Sequence, residues 1–264
     1  SSLRDREIVV VSLGDKPSVL TRIPTEGQPN KMTLNKAQTR LYVAADQTDT
    51  VEVIDTVEDK IVESIPVIAP AALLPGTLAQ YKGANTNSVT LAPDERQLYV
   101  TNGNLNNVAV VELGGANSDA QVVGLIPTGW YPNSVSFSGD GATVYVVNGK
   151  SPTGPNPDFC YAYGPPPPGT PNCDGSQEYN PQLTKAGLQS FPRPNPAQLA
   201  LLSTQVAANN RFAYTESPAD AAVMAAVRQH VKHVIYIIKE NRTYDQVLGD
   251  LEVGNGDATL AEFG

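Results

Sequence analysis

Arg96-Gln97-Leu98-Tyr99-Val100-Thr101-Asn102 is the stretch from which the rest of the chain can be read, because it recurs in altered form on both sides. Upstream stands Arg40-Leu41-Tyr42-Val43-Ala44-Ala45, and downstream Thr143-Val144-Tyr145-Val146-Val147-Asn148. In each unit an Asn lies twelve residues before the Tyr: Asn30 before Tyr42, Asn87 before Tyr99 and Asn133 before Tyr145. Each Asn opens a run, namely Asn30-Lys31-Met32-Thr33-Leu34, Asn87-Ser88-Val89-Thr90-Leu91 and Asn133-Ser134-Val135-Ser136-Phe137. Alternation with a period of two predicts strands with one buried face. A polar turn, plainest as Ser138-Gly139-Asp140-Gly141, separates run from Tyr, so the unit is a hairpin.

A second hairpin accompanies the first. Ile8-Val9-Val10-Val11 and Leu20-Thr21-Arg22-Ile23-Pro24-Thr25 flank a Gly14-Asp15-Lys16-Pro17 turn. The pair recurs as Val51 to Asp55 with Ile61 to Pro66, and as Val108 to Glu112 with Gln121 to Pro127. The repeat is therefore four short strands. Tyr99 and Tyr145 are 46 residues apart, while Tyr42 and Tyr99 are 57 apart, the excess lying in an Ala/Leu/Pro-rich insertion around residues 69–83. Four local antiparallel strands in about 40 to 50 residues match the size of a propeller blade. Such a sheet must stack on its neighbours to bury both faces. Residues 27–67 and 84–128 are each expected to form one four-stranded sheet, with Tyr42, Tyr99 and Tyr145 in equivalent places.

These units resemble the YVTN-repeat β-propellers, whose name is spelled by Tyr99-Val100-Thr101-Asn102. The resemblance spans about residues 5–150 and rests on three units that agree in strand order and spacing. Two complete blades, one preceding half and one following half are visible, fewer than the roughly four a closed ring needs. The implied arc is open, its edges covered by another segment or chain, and its missing blades come from the rest of a longer chain or from other copies. The fold class read here is mainly β: an incomplete ring of YVTN-type blades in residues 1–150, a Pro/Gly-rich disulfide loop and helical linker in 151–230, and the first strand and helix of an α/β phosphatase-like domain in 231–264.

Composition narrows the function. The chain has 264 residues, 41% hydrophobic and 17% charged, which suits a globular fold. Its formal net charge of -9 and scattered basic residues would repel a phosphate backbone, so nucleic acid is not an expected partner. No run approaches the roughly 18 apolar residues of a membrane span. The Ser1-Ser2 start suggests a processed or incompletely observed N-terminus, as in a periplasmic or secreted bacterial protein. The two cysteines, Cys160 and Cys173, flank a loop containing Pro165-Pro166-Pro167-Pro168. A disulfide is the natural reading and suits an oxidising compartment. Two free thiols are the alternative, and no further Cys or His favours zinc there.

Beyond residue 150 the pattern changes. A stretch rich in Pro, Gly, Asn and Tyr runs to about Asn180, after which Gly187-Leu188-Gln189-Ser190-Phe191 reads as a strand returning to complete the last blade. Asn195-Pro196 carries the N-cap and N1-proline signature of a helix over about 196–209, and Ser217-Pro218 begins another over about 218–229. Their Ala and Leu stripes read as packing faces. Val231-Lys232-His233-Val234-Ile235-Tyr236-Ile237-Ile238 then reads as a strand buried on both faces of an α/β sheet. Polar residues directly after such a strand stand where open α/β sheets place their sites.

Those residues are Lys239-Glu240-Asn241-Arg242-Thr243-Tyr244-Asp245-Gln246-Val247-Leu248-Gly249. The segment from His233 to Gly249 is similar to the opening motif of the metal-dependent phosphoesterase branch of the alkaline phosphatase superfamily, which includes bacterial phospholipases C and acid phosphatases. The resemblance implies that Glu240 and Asn241 bind a divalent metal ion through hard oxygen ligands. It also implies a phosphate-ester substrate, with a hydroxyl nucleophile and further ligands expected beyond Gly264. Arg242 is a candidate phosphate contact, with a carboxylate such as Asp245 as its alternative partner. The function read here is an extracytoplasmic metal-dependent phosphoesterase with an N-terminal propeller as binding module. The alternative is a non-catalytic propeller that binds or scaffolds.

Four lesser features have plain readings. His233, three residues past His230, is expected in the core. Asn241-Arg242-Thr243 matches a glycosylation sequon, and Gly254-Asn255-Gly256-Asp257 reads as a turn rather than a calcium loop. Trp130 and Tyr131 stand at a blade-to-blade crossing, as packing residues or as a ligand-stacking rim.

Overall fold

Each Asn-to-Tyr unit is a hairpin whose turn bends on a residue of positive φ four positions before the Tyr. Gln38 (φ 56°), Glu95 (φ 57°) and Gly141 (φ 73°) hold this place. Glycine adopts that conformation without steric cost, and only the third unit supplies one. The computed structural model describes residues 1–74, 82–115, 118–150, 186–212, 216–238 and 242–263. They belong to two units, one drawn from residues 1–154 and 185–213, the other from 155–184 and 214–264.

Among the described residues the first unit has thirteen strands. The hairpin β1 (Glu7–Ser12) and β2 (Ser18–Pro24) forms a two-stranded sheet. The first full blade is β3 (Gln28–Leu34), β4 (Arg40–Asp46), β5 (Thr50–Asp55) and β6 (Lys60–Pro66), paired in that order. The second is β7 (Thr86–Leu91), β8 (Gln97–Asn102), β9 (Asn107–Glu112) and β10 (Gln121–Pro127). The third consists of β11 (Trp130–Phe137), β12 (Thr143–Lys150) and β13 (Gly187–Pro192), the last pairing antiparallel with β12 as its sequence predicts. Pairings are antiparallel throughout, and the mainly β, blade-like architecture is that expected from the repeat. Tyr42 faces Thr33 and Val53, Tyr99 faces Thr90 and Val110, and Tyr145 faces Ser136 and Ser190. The three tyrosines are therefore equivalent.

The repeated Asn marks a bulge. The ladder register of β3, β7 and β11 shifts at Asn30, Asn87 and Asn133 respectively, and such an extra residue bends and twists a strand. These runs depart from the simple expectation of one buried face. In β7 both Ser88 and Val89 are fully buried, because β7 packs against β3 and β4 of one blade while β11 packs against it from the other side. One core joins Tyr42, Val51, Val53 and Ile65 to Val89, Leu98, Val100 and Val111. A second joins Tyr99, Val108 and Val110 to Val135, Val144 and Val146, with the rings of Tyr99 and Phe137 edge to face at 4.8 Å. A third joins Ile8 and Ile23 to Val43 and Ile54. Blade faces bury one another, which is why consecutive residues of β8 are all apolar or hydrogen-bonded.

Helix α1 (Pro196–Asn209) begins with Asn195 and Gln198 in a capping box. Its buried residues Leu199, Ser203 and Val206 lie along β10. The Leu125 N–H donates to Ser203 Oγ at 2.8 Å, and a Cβ on Gly124 would overlap the Leu199 side chain. The helix thus packs along β10, the last strand of the second blade.

In the second unit α2 (Pro218–His230) is capped by Ser217, and α3 (Tyr244–Leu248) by Thr243 in a capping box with Gln246. Three sequence expectations fail here. The apolar stripe of α2 is not a packing face, since none of its residues is buried. Residues 231–238 form no strand, and Val234, Ile235 and Tyr236 are over 80% exposed. His233 is exposed rather than a core histidine. The last two share a reason: a strand buried on both faces needs neighbours for its N–H and C=O groups, and no described residue supplies them. Of the Gly254 to Asp257 stretch, Gly254 and Asn255 lie in a bend, with Gly254 at φ 108°.

Candidate functional site

The residues of YVTN are each accounted for by the seam between blades. Tyr99 and Val100 are core, while Thr101 Oγ donates to Asn87 Oδ1 at 2.5 Å and so ties β8 to the bulge of β7. Asn87 Nδ2 donates in turn to the Pro132 carbonyl at 3.0 Å, reaching the third blade. Asn102 is fully buried: its Nδ2 donates to the Val67 carbonyl at 2.7 Å and to Asn107 Oδ1 at 3.2 Å, and its Oδ1 accepts from Thr86 Oγ at 2.9 Å. These are structural bonds. They position the rim that lies directly beyond them.

That rim combines residues of three blades. Asp49, fully buried at the β4–β5 turn, accepts from the N–H of Gly83 at 2.6 Å and of Asn85 at 3.1 Å, and fixes the entry to the second blade. Asn85 Nδ2 donates to Asp46 Oδ2 at 2.8 Å, and its Oδ1 accepts from the Tyr131 hydroxyl at 2.5 Å. The Tyr131 N–H donates to Asn106 Oδ1 at 2.8 Å. Gly103 admits this crossing, since a Cβ there would lie 2.9 Å from both Asn87 Nδ2 and Tyr131 Cε2. Gln47, Asp49, Asn85, Asn106 and Tyr131 all have positive φ. An aromatic in that region is uncommon and is held by its surroundings. Trp130, next to it, is 56% exposed. Of the two readings open for this pair, Tyr131 takes the packing role and Trp130 the exposed rim. On the inner strands Lys31 Nζ donates to Ser134 Oγ at 3.0 Å, joining the first blade to the third.

The rim offers a carboxylate, amides and an exposed indole, groups that bind and orient a ligand. Among the described residues it holds no nucleophile paired with a base. Both histidines belong to the other unit, and among the described residues no three His, Cys, Asp or Glu side chains are grouped to hold a metal. Asp46, Asp49, Asn85 and Asn106 were not singled out in the sequence. The signal was present: Asp49 and Asn106 each stand seven residues after the repeat Tyr, and Asn85 and Tyr131 each fourteen before it.

Of the residues singled out in the sequence, Glu240, Asn241, Cys160 and Cys173 lie outside the described residues. Arg242 is described. Its guanidinium sits 4.6 Å from the centre of the Phe263 ring and not on Asp245, whose Oδ1 accepts from the Asp257 N–H at 2.8 Å. Of the two partners considered for Arg242, the Asp245 carboxylate is not the one it meets; its contact is the Phe263 ring.

No protein-family model matches the chain, and no curated protein matches it in sequence. Solved structures similar to it include hydrazine synthase of Kuenenia stuttgartiensis, 20% identical over 54% of this chain and 36% of that one, with a TM-score of 0.43. A protein from Lactobacillus plantarum is 20% identical over 55% and 42%, with a TM-score of 0.46. The periplasmic gluconolactonase of Pseudomonas aeruginosa is 21% identical over 50% and 39%, with a TM-score of 0.38. The chain spans less than half the length of each of these three. Among the described residues no helix is long and apolar enough to cross a membrane.

Proposed function

We propose that the blades are a binding module serving an extracytoplasmic metal-dependent phosphoesterase whose opening motif is residues 233–249. The observation that carries this reading is the order apolar run, Glu240-Asn241-Arg242, Thr243, Tyr244, Asp245, Gly249. Supporting it, Thr243 caps α3, with Gln246 N–H donating to Thr243 Oγ1 at 3.3 Å, so the Glu-Asn-Arg triplet directly precedes a helix start. The Glu240 carboxylate and the Asn241 amide oxygen form a hard donor set suited to a divalent cation. When bound, that ion supplies Lewis acidity to a phosphoryl oxygen. Asn241 brings no charge, so residues 1–264 alone bind metal weakly. Arg242, stacked by one face on Phe263, keeps its in-plane N–H donors for a phosphate. A Cys160–Cys173 disulfide belongs to the same reading.

The test uses the protein with whatever residues flank 1–264 in its gene. Glu240→Gln and Asn241→Ala are each expected to lower bound metal, measured by elemental analysis, together with hydrolysis of a generic phosphate ester. Unchanged metal content and turnover in both variants refute the assignment. The rim of Asp46, Asn85, Tyr131 and exposed Trp130 favours a second reading, a propeller that binds without catalysis. In that case no hydrolysis is detected even in the wild type.

A further inference from the structure

Two blade entrances of the first unit share one hydrogen bond. Ile23-Pro24-Thr25-Glu26 and Ile126-Pro127-Thr128-Gly129 each step from the last strand of one sheet into the next blade. In both, the N–H two residues past the proline donates to a side chain of the next blade's third strand. Glu26 N–H donates to Glu52 Oε1 at 2.8 Å, and Gly129 N–H to Gln189 Oε1 at 2.6 Å. Glu52 faces Val43, Gln189 faces Val146 and Ala109 faces Val100, so all three hold the same register position. An acid, a methyl group and an amide occupy it in turn, and only the acid titrates.

The two polar versions differ in how they are satisfied. Gln189 Oε1 also accepts from Asn148 Nδ2 at 2.8 Å. Glu52 is 0% exposed, and its Oε2 has no hydrogen-bond partner. Val43 and Ile54, on the same face of the blade as Glu52, belong to an apolar cluster with Ile8 of β1, Ile23 of β2 and Met32 of β3. The Glu26 carboxylate, of like sign, acts on it. Buried charges are ordinarily paired, and one N–H does not offset the desolvation of two carboxylate oxygens.

We propose that Glu52 makes the joint between the β1–β2 sheet and the first full blade sensitive to pH. Protonated, it is the counterpart of Gln189 and holds the 24–27 step on the blade. Ionised, it leaves an uncompensated oxygen in an apolar seam and loosens that step. Burial pushes the Glu52 carboxyl above the ordinary carboxylate value, opposed by the Glu26 N–H and reinforced by the Glu26 charge. Between the unfolded and the raised folded value the native state holds the proton that the unfolded state has released. Stability therefore falls as pH rises through that window. This device is independent of the metal reading.

Urea unfolding and amide hydrogen exchange from pH 4 to pH 8, on wild type and Glu52→Gln, test it. Wild type is expected to lose stability relative to Glu52→Gln as pH rises, by about tenfold in the folding equilibrium for each pH unit of upward displacement. Exchange protection of the Glu26 amide, corrected for intrinsic rates, is expected to fall in wild type only. A pH-independent difference between the two proteins overturns the proposal. Should Glu52→Gln not fold, the ¹³C carboxyl titration of Glu52 in the wild type decides: a midpoint at or below that of an exposed glutamate overturns it, and one above it supports it.

Discussion

Replacing Asn102 by Ala tests whether the last residue of the YVTN tetrapeptide is conformational punctuation or the tie between blades. The side chain is fully buried and makes three hydrogen bonds, to the Val67 carbonyl, to Asn107 Oδ1 and from Thr86 Oγ. At a net value of about 1 kcal/mol each these sum to roughly 3 kcal/mol. The same size follows from the other side, since the buried Val67 carbonyl loses the Asn102 donor at a cost of about 1–3 kcal/mol. A loss of about 3 kcal/mol lowers the folded-to-unfolded ratio by roughly a hundredfold. Urea unfolding followed by far-UV circular dichroism measures it, with Val57→Ala as control, because Val57 is 80% exposed and its truncation falls within about 0.5 kcal/mol. A loss for Asn102→Ala no larger than the control refutes the reasoning.

Ser203→Ala removes the oxygen that accepts the Leu125 N–H and is expected to cost about 1–3 kcal/mol, with faster hydrogen exchange at the Leu125 amide as the local signature. Gly103→Ala sets a Cβ against Tyr131 and Asn87, and is expected to break the Tyr131–Asn85 bond, seen as an altered chemical shift of the Tyr131 ring. Asp55 accepts from the N–H groups of Glu58 and Val57 and pairs with Arg40, which holds its carboxyl below the ordinary value. Its contribution is present above the unfolded pKa and lost as pH falls through the lower folded one, so Asp55→Asn is expected to flatten the acid limb of a stability-versus-pH curve. Peptide mapping without reductant is expected to recover Cys160 and Cys173 in one disulfide-linked species; two free thiols in protein never exposed to reductant refute that pairing.

The blades were legible in the sequence because each is made of contacts between strands adjacent along the chain. A twelve-residue spacing, a turn and a closing Ile-Pro are local features, and local pairing turns them directly into register. Even β13, far from β12 in the chain, was legible from its own short run, Gly187 to Phe191. Asn195-Pro196 and Ser217-Pro218 located two helices for the same reason, since capping is decided within four residues. What a blade face meets is not local. Ser88 is buried because β11 and β3 close on β7 from either side, and Glu52 and Gln189 became counterparts only once the entrances of their blades were superposable. Residues 231–238 show the converse. Their β-branched run specifies a strand, but a strand exists only where a neighbour takes its backbone hydrogen bonds, and that is a property of the assembled fold rather than of eight residues.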